Sequence, residues 1–219
     1  DLGGVDEKVE RAINQFAGTR KTDRLVLTLG KFSASDIFDD NKFAHDPRAD
    51  FLNWALIDTG SWDYAADAWG FTYSAVAEWF TGRWRFALGA SALSEKPQSA
   101  AIDTSFAQYQ LNAEIQRRHE LWGQPGSVTV TGFLSHGRMG RLDEATAIAL
   151  ASGQPVDIAA VRRFHDRPGI AMNVEQQIAK DWTVFMRAGI SDGRFESFDF
   201  TDIDQTLAGG VVVSGALWG

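Results

Sequence analysis

Nine charged or amide side chains recur at alternate positions of the chain's apolar segments. They are Arg83, Arg85, Gln108, Gln110, Asn112, Glu114, Arg118, Glu175 and Arg187. Guanidinium groups donate hydrogen bonds, carboxylates accept them and amides do both, so a row of these groups can exchange hydrogen bonds with the hydroxyl groups of a solute. Charges of both signs suit neutral polar solutes better than ions. The alternative is that these side chains only pair with one another and with water.

Other groupings of reactive side chains carry less chemistry. An Asp-rich cluster offers oxygen ligands for calcium but lacks the spacing of a calcium loop, so turn and capping roles are favoured. Its members are Asp36, Asp39, Asp40, Asn41 and Asp46. The four histidines are not spaced as zinc ligands, and the chain has no cysteine. The sequence therefore predicts no metal, no cofactor and no enzyme.

The polar row belongs to segments in which apolar and polar residues alternate. Tyr109, Leu111 and Ala113 alternate with Gln110 and Asn112, for example. A period of two places successive side chains on opposite faces of a sheet. It predicts strands at 24–32, 67–80, 83–93, 105–119, 127–136, 169–179, 182–191 and 206–218.

The connections between these strands alternate in length. Short turns are expected at 81–82, 122–126 and 180–181, and long loops at 94–104, 137–168 and 192–205. Helical spacing predicts helices at 142–151 and 156–164, within a helical insert at 138–168, and a short surface helix or an ordered loop at 5–16. Short turns at one end and long loops at the other are typical of an antiparallel transmembrane β-barrel of the outer-membrane type.

Tryptophans cluster near the predicted short turns. They are Trp79, Trp84, Trp122, Trp182 and Trp218. Indole rings prefer the boundary between membrane and water, so these positions predict a row of membrane-interface aromatics. The alternative is a soluble core near the turns. The polar opposite face argues against that alternative, because a second core layer could not bury it without a large penalty. The same penalty predicts that the polar face meets water in a lumen.

Composition limits the partners. The net charge of −8 argues against nucleic acid, since no basic surface neutralises phosphates. No stretch approaches the ~20 apolar residues of a membrane helix, whereas a barrel strand needs only about 10 residues, half of them polar. The chain starts at Asp1 without Met. We expect both ends to be cuts in a longer, exported protein whose signal peptide is not in this chain.

Several long motifs are unusual in composition. They are GKFSASDIFDDN at 30–41, AHDPR at 44–48, FLNW at 51–54, WDYAAD at 62–67, HELWGQPG at 119–126, TGFLSHGR at 131–138 and FTDID at 200–204. These motifs resemble the carbohydrate-selective porins of the OprB family. The matching stretches run from about residue 24 to residue 218, which is nearly all of the chain.

The resemblance implies a barrel of about 16 strands, of which this chain supplies roughly half. It implies one incomplete porin domain over 1–219 and passive diffusion of sugars across the outer membrane of Gram-negative bacteria. The implied partners are mono- or oligosaccharides and outer-membrane lipid, and a homo-oligomer is compatible with the family. The alternative is a structural or polysaccharide-binding envelope barrel without transport activity.

Overall fold

Nine β-strands dominate the computed structural model, which describes residues 1–11 and 16–218. They are β1 (Gly3–Val9), β2 (Gly18–Phe32), β3 (Thr72–Thr81), β4 (Trp84–Ala92), β5 (Tyr109–Leu121), β6 (Gln124–Met139), β7 (Arg163–Ala179), β8 (Trp182–Ser191) and β9 (Gln205–Val213). Each strand pairs antiparallel with its neighbours in sequence, so the order in the sheet is β1 to β9 without a crossover. Within the described residues, β1 and β9 are the two edges of the sheet.

Two-residue turns close three of the hairpins, at 82–83, 122–123 and 180–181. Trp122 (φ 54°) and Gly123 (φ 71°) both adopt left-handed backbone angles, as a type I′ hairpin turn requires. This turn is shorter than the predicted 122–126, because residues 124–126 already pair with β5. We call this end of the sheet the turn end. The opposite end, which carries the connections 33–71, 93–108, 140–162 and 192–204, is the loop end.

The two faces of the sheet differ in exposure. In β5, Gln110 and Asn112 are buried, whereas Leu111 is 44% exposed and Ile115 is 48% exposed. The predicted period of two is therefore confirmed in this strand. We call the face of Gln110 the inner face and the other the outer face. The outer face exposes apolar side chains along the whole sheet, among them Leu27, Leu29, Leu88, Leu111, Ile170, Ile190 and Leu207.

The connection between β2 and β3, residues 33–71, lies against the inner face, and we call it the inner segment. It contains a 3-10 turn at Ala34–Asp36 and the short helix α1 (Trp54–Ile57), whose N-cap Asn53 accepts a hydrogen bond from the Ala55 N–H. The core lies between this segment and the sheet. It comprises Ala34, Phe38, Trp62, Tyr64 and Ala66 of the segment and Val76, Ala87 and Phe133 of the sheet.

The connection 140–162 carries helix α2 (Leu142–Ser152), which confirms the helix predicted at 142–151. Gly153 ends it in the left-handed conformation that suits a helix C-terminus. The second predicted helix, at 156–164, is wrong: only Ala159–Val161 forms a 3-10 turn. Phe164 instead pairs with Arg138, because β6 and β7 extend farther than the alternation predicts.

Among the described residues, no helix combines the length and apolar character needed to cross a membrane.

The first residues form a strand where a short helix or an ordered loop at 5–16 is predicted. Glu7 forms an ion pair with Arg20 at 3.0 Å, and Asp6 forms one with Lys21 at 3.0 Å, both between β1 and β2. Charged residues at helical spacing can equally form ion pairs across two strands. Here these cross-strand pairs stabilise a strand instead of a helix. Residues 12–15 of the predicted helix lie outside the described residues.

Candidate functional site

A buried ion pair fixes the inner segment to β8. Arg187 and Asp39 are both 0% exposed, and Arg187 Nε lies 3.2 Å from Asp39 Oδ2. The guanidinium also donates to the carbonyl oxygens of Asp39 (2.9 Å), Ala44 (2.5 Å) and Leu56 (2.6 Å). The Asp39 carboxylate in turn accepts from the Thr59 N–H at 2.6 Å. Burying two charges is tolerable only with such complete pairing.

A second charged group joins the inner segment to β3, β4 and β5. Arg85 donates to Glu78 Oε1 (2.8 Å), to Glu114 Oε1 (2.5 Å) and to the Ile37 carbonyl oxygen (2.7 Å). The other oxygen of Glu114 accepts from the Asp39 N–H at 2.8 Å. Arg85 and Glu114, which lie on adjacent strands, therefore also hold the backbone on both sides of Phe38.

Amide side chains of β5 hold the middle of the inner segment. Asn112 Oδ1 accepts from Trp62 Nε1 at 3.0 Å, and Gln110 Nε2 donates to the Asp63 carbonyl oxygen at 2.6 Å. Gln110 Oε1 accepts from the Ala65 N–H at 3.2 Å. These bonds replace the partners that water would supply, so the buried amides carry little desolvation penalty.

Arg167 and Asp63 form a third buried ion pair, which sequence reasoning missed. Arg167 Nη1 lies 2.8 Å from Asp63 Oδ2, and both side chains are almost fully buried. Asp63 also accepts from the backbone N–H groups of 198, 199 and 200, and thereby ties the inner segment to the connection 192–204. The sequence signal for Arg167 is its position: it lies an even number of positions before Asn173 of the same strand, so both side chains lie on the inner face. The sequence predicts a loop at 137–168, and the strand pattern is therefore not extended to Arg167.

The remaining predicted pore-lining residues lie at the margins of this network. Arg83 and Arg118 are exposed at the turn end, where Arg118 donates to the Gly82 carbonyl oxygen at 3.2 Å. Glu175 is half-buried and accepts from the Lys42 N–H at 2.9 Å. Gln108 is buried just before β5 and donates to the Glu95 carbonyl oxygen at 3.0 Å. Contact of any of these residues with a sugar stays a prediction.

Water contact was expected for the whole inner face, and the structure differs on this point. Arg85, Gln110, Asn112, Glu114 and Arg187 are each less than 9% exposed. The inner segment covers them, and protein groups rather than water satisfy their hydrogen bonds. The expectation is wrong because the sequence pattern favours turn and capping roles for the Asp-rich residues of the segment and does not indicate their partners on the sheet.

The five tryptophans predicted at the membrane interface are exposed and lie at the turn end. They are Trp79, Trp84, Trp122, Trp182 and Trp218, with exposures from 40% to 79%. Trp218 follows β9, whose neighbouring residue Ser214 donates its N–H to the Asp181 carbonyl oxygen at 2.8 Å. All five therefore lie towards the same end of the sheet. Their contact with a membrane surface stays a prediction.

Asp58 of the inner segment carries a perturbed carboxyl group. Burial and the nearby Asp39 carboxylate raise the pKa of Asp58 to about 7, and its Oδ1 lies 3.8 Å from His45 Nδ1. Because the folded protein holds this proton more tightly than the unfolded chain does, the group destabilises the fold above pH 7. That penalty disappears as the pH falls through 7 towards 4.

Replacing Asp58 with asparagine is therefore expected to stabilise the fold at pH 8, by on the order of 3 kcal/mol, and to have little effect at pH 4. Urea unfolding at both pH values measures the difference. Glu120→Gln, at an exposed position of the turn end, is the matched control. Equal stability of Asp58→Asn and the unchanged protein at pH 8 would contradict the prediction.

The histidines of the chain do not converge. His119 Nε2 lies 2.8 Å from Gln176 Oε1, and His136 Nδ1 lies 2.7 Å from Asp166 Oδ1, on separate parts of the sheet. The described residues contain no group of three or more His, Asp or Glu side chains placed to hold a metal ion. The chemistry of the site is thus hydrogen bonding and charge pairing between the inner segment and the sheet.

Comparisons with known proteins agree with this arrangement. A sequence model of the carbohydrate-selective porin family OprB matches residues 9–219, while no curated protein matches the chain. The fold is similar to the high-pH structure of OprB from Pseudomonas putida, with a TM-score of 0.61 and 16% identity over 88% of this chain and 46% of that chain. The chain thus spans about half the length of that relative. The likeness confirms the predicted porin-type β-barrel fold, and the chain belongs to the OprB family of carbohydrate-selective porins.

Proposed function

We propose that this sheet forms part of the wall of an outer-membrane channel through which sugars diffuse passively. The proposal rests on the difference in polarity between the two faces of the sheet. Its outer face exposes leucine and isoleucine side chains suited to lipid, and its inner face is polar. Membership of the OprB family supports the same function.

The inner segment supplies the surface of the water path in this proposal. Asp36, Asp40, Lys42 and Arg48 are exposed, while the intervening Phe38, Asp39 and Asn41 are buried against the sheet. The exposed charges have both signs, which favours neutral hydroxylated solutes over ions of either charge. The buried ion pairs beneath them hold the segment in place, so the width of the path is fixed by the folded inner segment.

Replacing Asp40 with tryptophan is expected to slow the entry of larger sugars more than that of smaller ones. Asp40 is exposed on the inner segment, and a bulky ring there narrows the path without removing a buried contact. Swelling of liposomes that contain the protein, with a pentose, a hexose and a disaccharide, gives the size dependence. We expect about a threefold larger reduction for the disaccharide than for the pentose, because discrimination by a pore depends on its diameter.

Glu120→Trp, exposed at the turn end, is the control and should leave the size dependence unchanged. If liposomes that contain the unchanged protein do not swell in any of the sugars, the channel is contradicted and a structural or polysaccharide-binding barrel is favoured. Swelling that Asp40→Trp does not alter would contradict the place given to the inner segment.

A further inference from the structure

A cavity of about 340 Å³ lies at the loop end, between three connections. Gln98 comes from the first, Leu142 and Ile158 from the second, and Phe195 and Asp202 from the third. We call it the loop-end cavity. Its volume is at the small end of the range of about 300–1,000 Å³ that ligand pockets occupy, which suits a small ligand.

The walls of the loop-end cavity are held together by backbone hydrogen bonds. The Leu142 N–H donates to the Arg194 carbonyl oxygen at 3.0 Å, and the Glu196 N–H donates to the Gly140 carbonyl oxygen at 3.0 Å. Arg162 Nε adds a charged bond to Glu196 Oε2 at 2.9 Å. The connections 140–162 and 192–204 therefore form one unit, and the cavity between them is built in advance of any ligand.

Gln98 is held in a strained conformation at the rim. Its φ of 61° lies in the left-handed region, which a residue with a side chain rarely adopts. Its N–H donates to the Phe198 carbonyl oxygen at 2.8 Å, and its Nε2 lies 3.5 Å from Ser197 Oγ. Such strain is found disproportionately at ligand sites, and here it places an amide beside the cavity.

The chemistry of the lining is divided into an apolar and a polar side. Leu142, Ile158 and Phe195 form the apolar side. Asp202 and Asp204 line the polar side, where Asp204 Oδ1 lies 3.4 Å from the buried Arg167. Carboxylates accept and amides donate hydrogen bonds, whereas the C–H face of a sugar ring packs on apolar side chains.

The charge of the lining selects among small hydroxylated ligands. Glu196 is paired with Arg162, and Arg167 is paired with Asp63, so those charges are balanced. Asp202 and Asp204 leave the cavity negative, and a sugar acid would be repelled. We propose that the loop-end cavity binds one uncharged sugar before it enters the channel, an inference that rests on the function proposed above.

Binding of glucose to the detergent-solubilised protein, measured by saturation-transfer NMR, tests the proposal. Asp202→Ala and Asp204→Ala are each expected to weaken glucose binding by about tenfold, because each loses a charged acceptor. Glu120→Ala, at the opposite end of the sheet, is the control and should bind as the unchanged protein does. Asp202 is exposed, and Asp202→Ala removes only the hydrogen bond that Ser197 Oγ donates to Asp202 Oδ1, so it tests the site even if Asp204→Ala does not fold.

Three outcomes would overturn the cavity proposal: glucose binding unchanged in Asp202→Ala, gluconate binding as tightly as glucose, or glucosamine binding while glucose does not. Liposome swelling separates this proposal from the function on which it rests. If sugars cause swelling but Asp202→Ala binds glucose as before, the cavity proposal is overturned and the channel proposal stands. If Asp202→Ala binds glucose more weakly but no sugar causes swelling, glucose binding in the cavity is supported and the channel proposal is overturned.

Discussion

Replacing Arg187 with methionine is expected to lower the free energy of unfolding by about 3–5 kcal/mol. The variant leaves the Asp39 carboxylate buried without its partner, and it removes the donors to Ala44 and Leu56. An uncompensated buried charge is costly because the protein interior solvates it poorly. Urea unfolding of the protein in phospholipid vesicles measures the loss.

Two further variants make this result specific. Arg194→Met removes an exposed ion pair with Asp192 and should leave the unfolding midpoint unchanged. Combining Arg187→Met with Asp39→Asn should recover part of the loss, since the second change removes the orphaned charge. An unfolding midpoint for Arg187→Met equal to that of the unchanged protein would show that the buried pair does not hold the inner segment.

Replacing Trp62 with alanine is expected to cost about 3–5 kcal/mol, the range for truncating a large buried aromatic side chain. Trp62 is 0% exposed and packs against Phe38 and Tyr64, with ring centroids 6.4 Å and 5.1 Å away. The change empties the centre of the core and leaves Asn112 Oδ1 without the indole donor. Urea unfolding in phospholipid vesicles, with near-ultraviolet circular dichroism, reports the loss of stability and of aromatic packing.

Trp62→Phe separates the packing from the hydrogen bond. It keeps most of the ring, so it should cost less than alanine. The cost that remains, about 1–3 kcal/mol, reflects the unpaired Asn112 oxygen. Trp122→Ala, at a 79% exposed position of the turn end, is the matched control. A loss of stability in Trp122→Ala as large as that in Trp62→Ala would mean that burial in this core does not explain the effect.

The strands were predictable because their alternation is a local property. The predicted strand 182–191 coincides with β8, and Leu111 and Gln110 lie on the faces that their spacing predicts. Register and strand pairing follow from this pattern once one face must be covered. Helix α2 was likewise predictable from local spacing.

The inner segment was not predictable, because its partners are distant in sequence. Asp39 meets Arg187 at a separation of 148 residues, and Asn41 meets Asn173 at a separation of 132. No spacing rule connects an irregular, Asp-rich stretch to particular positions on later strands. The exposure of the inner face could not be predicted for the same reason.

These long separations set an order of assembly. The carboxylate of Asp39 gains its counterion Arg187 only after β7 and β8 lie beside the earlier strands. Contacts this distant form late, since the chain must first give up the entropy of a very long loop. The docking of the inner segment on the sheet is therefore one of the last steps of folding.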